Sequence, residues 1–326
     1  MNTNDPSDSG SDGPNDDRDG TNDEQTEEVS PEEAEELIDE IERRRSLQGV
    51  AAVAVAAIGI LFSVFQLFLA ARGFSFTIPV LIVDNWRPML YDWEISLQLL
   101  QANAVHVSFA LVLTFLLFPA SMGDGIVTRN LGRVVPAVSR RLGDRNPITR
   151  ILGRVRATFR WAFLDPDRER VTPFDLLCIV ASILSAVYFL TEFSEIQDMR
   201  VFGLTFGRPI TEVYTFLQPV LGGVPFVSEY SYAMALGVIG VLLVLEATRR
   251  TLGLPLMIIV ATFIVYARWG YLISGETPLL GLLAVNELTW PSIVQNLWYN
   301  TENWVFGITV TVSVSFIYIF ILFGAF

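Results

Sequence analysis

Apolar side chains fall in long uninterrupted runs along most of this chain, and the polar ones collect between the runs. Leu236 to Gly275, LGVIGVLLVLEATRRTLGLPLMIIVATFIVYARWGYLISG, is the plainest case: two apolar runs joined by a turn that carries Glu246, Arg249 and Arg250. Runs of about 20 apolar residues suit the ~30 Å of hydrocarbon that a helix crosses at ~1.5 Å per residue. A water-soluble domain would interleave charges at helical or strand spacing instead. The pattern predicts an all-α, polytopic helical membrane protein with about six transmembrane helices. They run over Gly49–Leu69, Val105–Ala120 (or from Leu99), Pro173–Phe193, Tyr232–Leu245, Leu254–Ser274 and Trp304–Phe326.

Charge fixes the expected orientation. All 22 basic residues are Arg, and they alternate in density from one connection to the next. Arg43, Arg44 and Arg45 precede the first run, 11 Arg fall within 121–172, and Arg249 and Arg250 close the fourth run. The connections in between carry two (Arg72, Arg87), two (Arg200, Arg208) and none. Cytoplasmic loops are the Arg-rich ones, so the N-terminus is expected in the cytoplasm and the chain in the cell membrane. In the outer connection 72–98, Trp86, Tyr91 and Trp93 are placed as interfacial anchors.

The polar segments divide the rest of the chain. Residues 1–30 are acidic and nearly free of apolar side chains, too little to offset chain entropy, and are expected to be disordered. Ser30-Pro31-Glu32-Glu33 is a helix start, giving a short cytoplasmic amphipathic helix over 31–46. A four-helix membrane domain follows over 47–250, then two helices over 251–326. Within the Arg-rich 121–172 segment, Ile148, Ile151, Leu152, Val155, Phe159 and Phe163 recur at helical spacing. That predicts a surface helix in the inner headgroup layer, serving either to bind anionic lipid headgroups or only to set topology. No flanking charge follows the final FILFGAF, so the chain is read as cut within a longer protein.

Composition narrows the function classes. The formal net charge of −13 belongs to residues 1–45; the remaining 18 acids and 18 Arg cancel. The acidity therefore says nothing of a substrate, but with the absence of Lys it points to a GC-rich genome and a high-salt, halophilic host. No basic domain with interleaved aromatics appears outside the juxtamembrane loops, so nucleic acid is not expected. Cys178, the single cysteine, lies in an apolar run and excludes an internal disulfide and a Cys-based zinc cluster. The segment NDDRDG at Asn15–Gly20 departs from a calcium loop at its first and twelfth positions, Asn15 and Thr26. No phosphate loop, Gly-x-Ser-x-Gly, His-Glu-x-x-His or paired intramembrane carboxylates occur, so no enzyme, cofactor or metal site is expected.

Three stretches resemble a known family, the fused membrane permeases of tripartite ATP-independent periplasmic (TRAP) transporters of the TAXI type. They are HVSFALVLTFLLFPA at His106–Ala120, LLVLEATRRTLGLPLMIIVATFIVYARWG at Leu242–Gly270, and NLWYNTENWVFGITVTVSVSFIYIFILFGAF at Asn296–Phe326. The resemblance covers about residues 47–326. It implies four helices like the small permease subunit, followed by the start of the large one. It further implies sodium as coupling ion, an extracytoplasmic TAXI-type solute-binding protein and the remainder of the large subunit as partners, and an organic anion as cargo. The family's substrate and sodium sites lie in later helices, so the resemblance brings no ligand-binding residue to this chain. The alternatives are a non-transporting membrane scaffold or sensor, and a truncated product without transport activity.

Five residues stand out as structural candidates, because charge inside a bilayer is costly and therefore placed for a reason. Glu246 is three and four residues from Arg249 and Arg250, the spacing that puts opposite charges on one helix face. Arg268 snorkels toward the outer headgroups beside Trp269, as an anchor or as a contact for a binding protein. Trp304 marks a helix start with Asn303 and Gly307. His106, the only histidine, opens the second helix near the outer interface.

Overall fold

A computed structural model of the chain describes residues 44–45, 47–72, 75–84, 87–121, 147–165, 169–223, 230–273, 275, 280–300 and 305–324. The acidic tail, Trp304 and all of the predicted 31–46 helix except 44–45 lie outside the described residues, and 44–45 are not helical.

Five described helices are long and apolar enough to cross a membrane: Val50–Ala70, Leu99–Leu117, Pro173–Thr191, Tyr232–Thr251 and Leu254–Leu272. They belong to α1 (Val50–Arg72), α2 (Leu99–Leu117), α4 (Pro173–Thr191), α8 (Tyr232–Thr251) and α9 (Leu254–Trp269), the last extended by a 3-10 turn. The Arg-rich segment forms α3 (Pro147–Phe163), as its periodicity predicts. The connections after α4 and after α9 hold α5 (Phe193–Phe202), the single turns α6 (Ile210–Val213) and α7 (Gln218–Leu221), and α10 (Trp290–Trp298). The last predicted run is helical over α11 (Ile308–Val312) and α12 (Tyr318–Gly324), joined by a π turn at Ser313–Ile317. Its apolar stretch, Ile308–Ile321, falls short of a full span.

The body is helical, and the sequence misplaces some ends within it. The connection 72–98 carries an antiparallel hairpin, β1 (Ser75–Asp84) and β2 (Arg87–Ser96), in register from Ser75 opposite Ser96 to Asp84 opposite Arg87. β-branched Thr77, Ile78, Val80, Ile82 and Val83 favour an extended backbone there. Tyr91 and Trp93 thus sit on a strand, opposite Val80 and Ile78, and Trp86 lies outside the described residues. The fourth helix continues past Leu245 to Thr251, so Glu246, Arg249 and Arg250 occupy its last turns and not a connecting turn. The reversal falls instead at Gly253, whose φ of 90° suits glycine, with Pro255 in the first turn of α9.

Residues Arg43–Phe326 form one compact unit. Its centre is α2, which buries one face against α4 and the other against α1 and the π turn. The largest fully buried side chains are Trp298, Tyr188, Tyr299, Phe115, Phe189 and Phe306. Trp298 comes from α10, a helix the sequence reading treats as outer loop. Thr289 caps it and Pro291 sits in its first turn, a start signal visible in the sequence. It docks because α8 is cut back at two glycines: a Cβ on Gly240 would lie 2.2 Å from the Trp298 ring, and one on Gly237 2.5 Å from Val294. Small residues allow such close approach where lipid supplies no hydrophobic drive between helices.

Candidate functional site

Six charged side chains meet at one end of the bundle. α2 ends there, and the last carbonyls of a helix have no partner within it and carry partial negative charge. Three arginines from two separate segments fill those positions. Arg45, ahead of α1, donates through Nη1 to the carbonyls of Phe115 (2.8 Å) and Leu116 (3.1 Å), and its backbone N–H donates to Leu117 (2.8 Å). Arg250 Nη1 donates to Phe118 O at 2.9 Å, and Arg249 Nη2 to Ala120 O at 2.7 Å.

Three carboxylates balance them. Asp175 is the pivot: its two oxygens accept from Arg45 Nη2 and from Arg250 Nη1, the latter at 2.6 Å. It also closes a capping box with Thr172, accepting from the Thr172 N–H at 2.9 Å and hydroxyl at 2.8 Å, so it starts α4 while joining two other segments. Asp165, just beyond α3, accepts from Arg45 Nε at 2.9 Å. Glu246 takes Arg249 in a bidentate grip at 2.7 and 2.8 Å and Arg250 Nε at 2.8 Å. The Arg250 guanidinium also lies over the rings of Phe115 (4.9 Å) and Phe174 (5.6 Å).

Burial is graded through the cluster. The side chains of Arg45, Arg250 and Asp175 are fully enclosed and Asp165 nearly so, whereas Glu246 and Arg249 keep 20% and 30% of their surface. Three positive and three negative groups leave the cluster formally neutral, the condition under which buried ions are tolerated. Each carboxylate is engaged by at least one arginine, so the arrangement ties helices together and offers no free base.

The expected Glu246, Arg249 and Arg250 group is therefore present, but as half of the cluster. Arg45, Asp165 and Asp175 do not stand out in the sequence, where Arg45 reads as a topology charge, Asp165 as part of the Arg-rich connection and Asp175 as an acid at the start of the third helix. The Thr172-Pro173-x-Asp175 start was the one local signal for Asp175. Arg268 pairs with Glu287 at 3.7 Å and lies 5.9 Å from the Trp269 ring and 5.8 Å from that of Tyr271, an aromatic setting at the far end of α9.

His106 departs from its expected interfacial place, because α2 starts at Leu99 and carries it inward. It is buried, 5.0 Å from the Phe62 ring, and bonded to Gln66 of α1 through Nδ1 and to Ser313 through Nε2. One turn earlier, Asn103 donates to Phe306 O and Thr311 Oγ1, both at 3.0 Å. This second polar seam fixes α11 and the π turn to α1 and α2. Among the described residues no group of His, Cys, Asp and Glu could hold a metal ion.

At the opposite end of α4, Arg208 bridges Glu192 (2.6 Å) and Glu195 (2.6 and 2.9 Å). Glu195 beside it holds the Arg208 guanidinium above its ordinary pKa. A cavity of about 590 Å³ opens there, lined by Ser194, Glu195, Asp198, Met199, Phe202 and Arg208.

No family model, curated protein or solved structure matches the chain.

Proposed function

We propose that this chain is the scaffold part of the membrane permease of a sodium-coupled, binding-protein-dependent solute transporter of the TRAP class. The observation that carries the scaffold reading is the neutral arginine–carboxylate cluster, which ties the lead-in to α1, the end of α2, the starts of the α3–α4 connection and α4, and the end of α8. Ends held in this way move as one body, which a part that stays at fixed height beside a moving transport domain requires. Sodium coupling, an organic-anion cargo, a TAXI-type binding protein and the remaining large-subunit helices as partners rest on the sequence resemblance. Six spans with a cytoplasmic N-terminus rest on the alternation of Arg density. On that orientation the charged cluster lies at the cytoplasmic end, and the Arg208 corner outside.

Reconstitution tests the proposal. The chain, the remaining permease helices and a TAXI-type binding protein together should give uptake of an organic anion driven by a sodium gradient, and omission of this chain should abolish it. Purification of the chain from its native membrane without any large helical subunit, and uptake indifferent to its omission, would leave the non-transporting scaffold in its place.

A further inference from the structure

Helix α3 presents a face that no other described part of the chain covers. Arg154 and Val155 lie three and four residues after Ile151, Thr158 four and three after them, and Trp161 three after Thr158, so the five share one side of the helix. All five are exposed, with Ile151 at 58%, Val155 at 55% and Trp161 at 59%. Toward the end of the helix Phe159 stacks on Phe163 at 4.8 Å, and Phe163 lies 4.7 Å from Phe174 in the first turn of α4. The helix carries Arg150, Arg154, Arg156 and Arg160 and no acid. Asp165, the acid that follows it, is held by Arg45.

Two contacts fix the level of α3 relative to the spans. Phe174 belongs to the start of one span, and the Asp165 N–H donates to Ser121 O, just beyond the end of another, at 3.1 Å. The helix is thus tethered where α2 and α4 enter the bilayer, at headgroup depth. Exposed large apolar side chains, with Arg154 and Arg160 exposed on the same helix at that depth, suit the boundary between acyl chains and phosphates, with tryptophan at the interface.

We infer that α3 is a membrane-surface helix that binds anionic phospholipid of the adjoining leaflet. Ile151, Val155 and Trp161 enter the headgroup–acyl boundary, and Arg154 and Arg160 meet lipid phosphates. The positive charge of Arg154 and Arg160 selects an anionic over a zwitterionic surface. The inference rests on the five apolar helices being spans, and not on the transporter assignment.

The test uses the full chain in lipid nanodiscs of phosphatidylcholine alone or with about one-third phosphatidylglycerol. A polarity-sensitive probe is attached at Trp161→Cys in a Cys178→Ala background. The probe should be blue-shifted and protected from iodide in the anionic discs, and the difference should vanish in the Arg154→Gln/Arg160→Gln pair. In the chain with Cys178 and Trp161 intact, phosphatidylglycerol retained through delipidation should fall about fivefold for each of these arginines removed. Equal probe spectra in both lipids, together with retention unchanged by the pair, overturn the inference while the protein still co-elutes with the discs. Failure to co-elute overturns the membrane reading and the inference together.

Discussion

Asp175 shows how much one side chain decides here. It begins α4 through its box with Thr172, and its two oxygens receive arginines from positions 130 residues before it and 75 after it. Asp175→Asn leaves Arg45 and Arg250 buried without their shared countercharge. Breaking a buried ion pair costs about 3–5 kcal/mol, so thermal unfolding in detergent should show a large loss of stability. Arg249→Gln, at a partly exposed position, should cost at most about 1 kcal/mol. Equal stability of the two variants would show that burial does not grade the cluster. Arg250→Lys should resemble loss of the residue, because a point charge cannot meet Glu246, Asp175 and the Phe118 carbonyl from one fork. A lysine variant as stable as the native chain would contradict the geometry.

Among the elements, α8 carries the most varied demands. Its first half admits Trp298 through Gly237 and Gly240, its last turns hold Glu246, Arg249 and Arg250, and Gly253 then turns the chain into α9. Gly240→Ala forces a methyl into the Trp298 ring, and overpacking of that kind costs about 1–3 kcal/mol. Gly59→Ala in α1 meets nothing within 4 Å and replaces a poor helix former with the best one, worth up to about 1 kcal/mol. Thermal unfolding of both variants should therefore move in opposite directions. A Gly240→Ala chain at least as stable as the native one would mean that α10 does not dock on α8 as described. The contrast between α2 and α9 belongs to this scale as well: both are mostly apolar, yet α2 buries 11 residues and α9 none.

For the whole molecule, the arginine alternation makes a claim about sides that accessibility can check. In a Cys178→Ala background, Gln48→Cys precedes α1 and Leu282→Cys lies in the connection after α9, where Leu282 is 90% exposed. A membrane-impermeant maleimide should label Leu282→Cys in intact cells and Gln48→Cys only after permeabilisation. Labelling of both from one side would remove the six-span topology and, with it, the placement of the charged cluster at the cytoplasmic end.

The apolar runs and the arginines between them were enough to expect long apolar helices, the helix α3 and the pairing of Glu246 with Arg249 and Arg250. Those features are set by neighbours a few residues apart: hydrocarbon thickness fixes run length, and helix pitch brings residues three and four apart onto one face. The partners of Arg45 lie 120 and 130 residues away, and His106 joins Gln66 and Ser313 across 40 and 207. No local period carries such pairings, because they exist only once packed helices bring distant side chains together. The docking of α10 was hidden for the same reason, its short amphipathic run being completed by a groove that α8 forms in three dimensions. The sequence by itself thus determined which long segments are apolar helices, and the tertiary structure alone decided which buried charges neutralise one another.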